Sequence, residues 1–227
     1  MLQFLASVLP AFALLYIFTR LDLFPEPNKN IFITFILGIF IIIPLFILYF
    51  SFELFVDIYF NESEYYEILS SLNAPITEEI LKLSIIVFYC SRLKEFDEPM
   101  DGLVYGATAA LGFAMFENIN YVYFTEDTYW QDIAVARALL SVPSHSFDGV
   151  ILGFAMSYYV FFNKKIIFPI LGLLTTITLH FFWNYYAAFD SVLILIIFFQ
   201  ILVTVFLFKD LRNKQKKFLL LKENLYD

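Results

Sequence analysis

The apolar positions of this chain fall into seven long blocks separated by short polar or charged stretches. The blocks run roughly Leu2–Thr19, Ile31–Phe50, Ser71–Ser91, Gly102–Phe124, Ile133–Phe162, Ile166–Ala187 and Val192–Phe208. A helix needs about 20 mostly apolar residues to cross a bilayer, and every block but the fifth is close to that length. Strict apolar/polar alternation is absent, and a lipid-facing segment must satisfy its own backbone, so helices are expected rather than strands. The fifth block is too long for one straight crossing and contains Pro143, which predicts a kink or break. The acidic, aromatic stretch Phe52–Leu69 reads equally as an amphipathic surface helix or as a loop. There is no internal repeat and no second soluble domain. The expectation is an all-α, polytopic transmembrane helix bundle over residues 1–208, followed by a basic helical tail over residues 209–227 that can sit near anionic lipid.

Composition narrows this picture. Of 227 residues, 61% are hydrophobic and 21% aromatic, and only 16% are charged, against about 25% in a soluble domain. The mean hydropathy is +0.76. These values exclude a disordered chain, and a single cysteine excludes a disulfide scaffold. The net charge is −8 and no basic face exists before the tail, so nucleic acid is not an expected partner. The charges are also segregated. Arg20, Lys29, Arg92, Lys94, Lys164, Lys165, Lys209, Arg212, Lys214, Lys216, Lys217 and Lys222 all fall on one side of a seven-span chain. The other side carries Glu53, Asp57, Glu62, Glu64, Glu67, Glu126, Asp127, Asp132 and Asp190. The positive-inside rule then puts the N-terminus outside and the tail in the cytoplasm. The first block has no basic residue before it, so it reads as an uncleaved span rather than a signal peptide.

Ionisable groups at bilayer depth are costly and mark function by default. Here they are Glu78, Glu79, Lys82, Glu117, Arg137, Asp148 and the two histidines, His145 and His180, accompanied by Asn118, Asn120 and Asn184. At 1.5 Å per residue, Glu78 and Glu79 lie about 11–12 Å below the outer surface, and Glu117 and His180 about 10 Å. His145 lies about 18 Å down if its helix is straight. Four separate segments thus carry polar groups to a shared level in the outer half. Stripes of small residues turn these groups toward neighbouring helices: Gly106, Ala110 and Ala114 lead to Glu117, Gly149 and Gly153 follow His145, and Gly172 and Thr176 lead to His180. Arg137 is expected at the outer interface, snorkelling or paired with Glu126, Asp127 or Asp132.

In P-I-T-E-E-I-L-K, Lys82 lies one turn from both Glu78 and Glu79. One carboxylate can pair with it while the other stays free, and two carboxylates in unlike environments suit general acid/base work. Peptide hydrolysis needs an activated water, an oxyanion stabiliser and a proton donor for the leaving amine. Glu78 or Glu79 can serve as base, and His145 and His180 can donate or ligate. Glu117 is a further carboxylate, and Asn184 is a neutral donor one turn from His180. Glu79, Glu117, His145 and His180 are candidate ligands for a divalent metal such as zinc, which takes His₂Glu sets in catalytic sites. There is no H-E-x-x-H motif. Ser144 and Ser146 flank His145, but sequence neighbours do not face one another on a helix. Asp148 could orient the His145 ring if the helix is regular there.

The segments E-E-I-L-K at 78–82, F-A-M-F-E-N at 113–118, P-S-H at 143–145 and H-F-F-W-N at 180–184 resemble the PrsW family of intramembrane proteases. That family is more distantly similar to the CAAX prenyl endopeptidase and bacteriocin-processing group. The resemblance implies a glutamate-dependent endopeptidase of the bacterial inner membrane. Its substrates would be membrane-anchored proteins, such as an anti-sigma factor in stress signalling. It maps Glu78, Glu79, Glu117, His145 and His180 onto the family's catalytic positions, with Lys82, Asn118 and Asn184 in support. It decides neither the metal nor the oligomeric state.

Two other readings use the same residues. A proton-coupled transporter would use the Glu/His cluster as a relay, and it would need polar groups continuing toward the cytoplasm and an internal repeat. A non-catalytic scaffold would bind peptides in the same groove.

Overall fold

The computed structural model describes residues 1–124 and 129–223, with Asn163 and residues 218–223 as backbone only. Glu126, Asp127 and the side chain of Lys222 lie outside the described residues. The described chain is helical throughout: α1 (Leu2–Leu21), α2 (Asn28–Phe40), α3 (Ile42–Phe60), α4 (Tyr66–Phe88), α5 (Pro99–Phe124), α6 (Trp130–Ala136), α7 (Val142–Ser157), α8 (Ile167–Tyr185) and α9 (Asp190–Glu223). α2 and α3 make one long apolar rod, as do α6 and α7, so seven helical segments correspond to the seven expected spans.

Five of the seven are long and apolar enough to cross a membrane by composition alone. The other two are α4, which carries Glu78, Glu79 and Lys82 inside its apolar stretch, and α5, whose core positions are largely Gly and Ala. These two occupy the interior. α5 is buried almost continuously from Pro99 to Ala114 and packs against α1, α2, α4, α7 and α9. The outer helices expose Phe46, Ile47, Phe50, Leu139, Leu195 and Phe206, as lipid-facing surfaces do. The polar, small-residue helices are thus wrapped by apolar ones.

The closest contact in the bundle is between α5 and α7. A Cβ placed on Gly153 would lie 1.9 Å from the Gly102 carbonyl oxygen, and one on Gly106 would lie 2.1 Å from that of Gly149. Only hydrogen fits at these positions, so the two backbones touch. α2 meets the opposite side of α5 in the same way, through Gly38 and Gly112.

Two local expectations change. Pro143 neither breaks nor sharply ends its helix: a π-helical turn over Arg137–Ser141 precedes it, placing the proline in the first turn of α7. The wider turn absorbs the hydrogen bond that proline cannot donate. The stretch after Phe50 is helix rather than loop as far as Phe60, because α3 simply continues. Asn73 of α4 anchors that continuation, donating to the Tyr49 carbonyl at 3.0 Å and to Glu53 at 2.9 Å. α9 runs without interruption through Glu223, so the tail as far as that residue continues the last span as helix.

Candidate active site

Four helices deliver the polar groups to one place. Glu78, Glu79 and Lys82 come from successive turns of α4, Glu117 from α5, His145 from α7 and His180 from α8. All but Glu117 are buried, and Glu79 is fully so. The Lys82 ammonium sits at the centre. It donates to Glu79 Oε1 at 2.7 Å and to His145 Nδ1 at 3.0 Å, lies 3.6 Å from Glu78 Oε2, and stands over the Phe113 ring at 4.7 Å. Of the two adjacent carboxylates, Glu79 therefore holds the lysine and Glu78 is the freer one.

An ammonium can only donate, so His145 Nδ1 accepts, and its Nε2–H points at Glu117 Oε2, 2.9 Å away. His180 has the opposite tautomer. Its Nδ1–H donates to Glu79 Oε1 at 2.9 Å, which turns Nε2 toward Glu78 Oε2 at 3.9 Å. The two rings meet edge to face with centroids 5.5 Å apart.

Arg137 departs from its expected position. It turns inward from the π-helical turn, pairs with Glu117 Oε2 at 2.6 Å, donates to Asn118 Oδ1 at 3.0 Å and stacks over Tyr121. Asn118 in turn donates to the Ser7 carbonyl of α1 at 2.7 Å. Glu117 thus receives Arg137 and His145 on one oxygen. The wider helical turn before Pro143 is what carries Arg137 to this level. Asp148 does not orient His145; it accepts from Gln200 of α9 at 3.0 Å. Ser146 donates to the Pro143 carbonyl at 2.7 Å, so it is no partner for His145.

Two cavities open onto this cluster. One, of about 310 Å³, is bounded by Ile42, Leu45, Phe46 and Tyr49 on one side and by Glu78, Glu117, His180 and Asn184 on the other. The second, of about 320 Å³, lies between α8 and the π-helical turn and is reached by Arg137, His145, Trp183 and Asn184. Glu117, Tyr121, His180 and Asn184 form a shared wall. An extended peptide laid across that wall would meet apolar surface on one side and a guanidinium on the other.

Against this geometry, residues 26–209 match the family model described as PrsW family intramembrane metalloprotease. The chain belongs to the PrsW family. It is an enzyme of a protease family that works within the membrane. Among its relatives, Protease PrsW of Geobacillus kaustophilus is 33% identical over 161 residues, covering 70% of this chain and 68% of that protein. Protease PrsW of Bacillus subtilis is 34% identical over 150 residues, covering 66% and 65%. Protease PrsW of Clostridioides difficile is 28% identical over 181 residues, covering 70% and 76%. No solved structure matches the chain.

A PrsW metalloprotease implies a metal, and the donor set here fits one. One ligand atom from each of Glu78, Glu79, His145 and His180 lies within 4.8 Å of the others. Glu78 Oε2 and Glu79 Oε2 are buried without a hydrogen-bond partner, as oxygens awaiting a cation or water would be. This grouping has Glu78 where Glu117 was expected, because Glu117 is taken by Arg137. Lys82 already supplies one positive charge to the set, and it must withdraw from His145 Nδ1 before that nitrogen can ligate.

Proposed function

We propose that this chain is an endopeptidase that hydrolyses a peptide bond in a membrane-anchored protein, with Glu78 as general base. The observation that carries this reading is the placement of Glu78. It lines the cavity, it is the carboxylate less tied to Lys82, and its free oxygen faces Nε2 of His180. A water held between Glu78 and His180 Nε2 would lose its proton to Glu78 as it attacks the scissile carbonyl. Glu78 would then pass that proton to the leaving amine.

The remaining residues position these two. Glu79 holds His180 in its tautomer through Nδ1–H and carries the Lys82 charge. Glu117, fixed by Arg137, does the same for His145 through Nε2–H. Asn184, on the shared wall of both cavities, can donate to the developing oxyanion. Glu79, His180 and His145 are the residues that would hold a divalent ion, and such an ion supplies a Lewis acid for the peptide carbonyl.

Apart from Lys82 and Arg137, which belong to the cluster, the basic residues fall in or beside the α1–α2, α4–α5 and α7–α8 connections and along the end of α9. This supports a site near the extracytoplasmic surface, with the N-terminus outside and the tail inside. A membrane-anchored regulator such as an anti-sigma factor, cut near that surface, is the substrate class this arrangement suits. A transmembrane proton relay is disfavoured. Between Gly102 and Phe116, α5 presents only small or apolar residues apart from Tyr105 and Thr108, and the Thr108 hydroxyl is spent on its own helix at Val104.

The test uses purified protein in lipid with a membrane-anchored substrate. The parent should cleave it, and Glu78→Gln should not, at equal expression and with the same thermal midpoint. A Glu78→Gln variant that cuts at the parental rate would refute the assignment. Chelation and metal analysis of the active preparation then decide whether a bound ion takes part.

A further inference from the structure

A second polar cluster lies at the other end of the bundle. Asp22 follows α1, Glu98 precedes α5 and Asp101 lies in the first turn of α5. All three are buried, Asp101 completely. One carboxylate oxygen from each lies within 4.8 Å of the others. Every donor that reaches the group is directed at a carboxylate oxygen. Asp101 Oδ2 accepts the N–H groups of Asp97 and Glu98, both at 2.8 Å. Asp22 Oδ1 accepts Phe24 N–H at 3.1 Å and the Gln215 side-chain amide at 3.2 Å. The same Gln215 amide donates to Glu98.

These bonds leave one oxygen on each aspartate. Asp22 Oδ2 and Asp101 Oδ1 are buried with no N–H donor on them, and a fourth carboxylate, Glu26, which accepts the Tyr105 hydroxyl, lies beside Asp101. Among the described residues no lysine or arginine forms an ion pair with any of the three carboxylates.

We propose that Asp22, Glu98 and Asp101 bind a hard divalent cation of the size of Ca²⁺, which fastens the α1–α2 loop, the start of α5 and, through Gln215, the α9 tail to one another. The ligand set is oxygen only, which selects Ca²⁺ or Mg²⁺ over zinc. Mg²⁺ sheds its water reluctantly and is seldom held by protein oxygens alone, whereas Ca²⁺ accepts such a cage, so Ca²⁺ suits this buried set better. The site is separate from the catalytic cluster: Asp101 and Glu117 are sixteen residues apart on α5, about 24 Å along the helix.

The test uses the full chain in detergent, stripped with chelator, with thermal unfolding and equilibrium dialysis of ⁴⁵Ca²⁺ as readouts. Ca²⁺ should raise the midpoint by several degrees, and Mg²⁺ should do so less. A Glu79→Gln variant, which disables the catalytic cluster, should keep the Ca²⁺ response, so the two ends are distinguished. Asp22→Asn and Asp101→Asn should each lose the shift and the bound ⁴⁵Ca²⁺. Should Asp101→Asn fail to fold, Asp22→Asn, which changes a loop residue, decides alone. No Ca²⁺ response in the parent, or one that survives Asp22→Asn, overturns the site. A gain in stability on acidification with none from Ca²⁺ would mean that shared protons hold the carboxylates, and it overturns the site equally.

Discussion

The two polar clusters share a helix and little else. Around Glu117, at one end of α5, carboxylates are interleaved with Lys82 and Arg137, and each histidine has its tautomer set by a neighbour. Around Asp101, at the other end, carboxylates meet carboxylates, and their nearest relief is a neutral amide. The first is neutralised from within the chain and so can exist in a dry interior before any substrate or ion arrives. The second depends on something supplied from solution. Burial alone therefore does not mark catalysis. What separates the clusters is whether the chain provides its own counter-charges and whether a cavity opens onto them.

This contrast can be broken most sharply by chemistry. Glu78→Gln should lower cleavage of a membrane-anchored substrate by about 10²- to 10⁴-fold, the usual worth of a general base. Its unfolding midpoint should hardly move, and single-turnover assays on the reconstituted protein would measure this. Next comes Lys82→Met, which strips the outer cluster of its central charge. Removing one partner of a buried ion pair costs roughly 3–5 kcal/mol, so denaturant unfolding should show a large loss of stability as well as of activity. If Lys82→Met is as stable as the parent, the cluster is not held by internal neutralisation.

A smaller effect is expected at the seam that joins the two regions. Gly153→Ala forces a methyl onto the Gly102 carbonyl, and overpacking of this kind costs about 1–3 kcal/mol. Gly172→Ala meets only the Ala155 methyl, at 2.6 Å, and should cost less. The smallest effect has the opposite sign. In chelator, Asp22→Asn should stabilise the protein by up to about 1 kcal/mol, since it removes a like-charge repulsion. A neutralising substitution would then hurt one end and help the other, and thermal unfolding of both variants in one buffer would show it.

The residues of the outer cluster could be read from the sequence because they sit in otherwise apolar blocks, where a charge stands out, and because helical rise puts four of them at one depth. The Lys82 spacing also foretold its contact with both glutamates. Arg137 could not be read correctly. Counting along an ideal helix left it at the interface, whereas the π-helical turn before Pro143 carries it inward to Glu117. Asp148 looked like a partner for His145 on the same helix, but its partner is Gln200, 52 residues away. The inner cluster was invisible for a different reason. Asp22 and Asp101 lie in short polar connections where acids are ordinary, on the side where a tally of Lys and Arg describes the surface as basic. Only the fold buries them together.

The glycine seam also constrains how a substrate enters. Two helices in backbone contact behave as a single plank, so Glu117 and His145 cannot part to admit a peptide. The opening has to come from the large-residue joints on either side, where α3 offers Leu45, Phe46 and Tyr49. A polypeptide arriving sideways through the bilayer would press on this yielding wall while the proposed catalytic groups stay in register behind it.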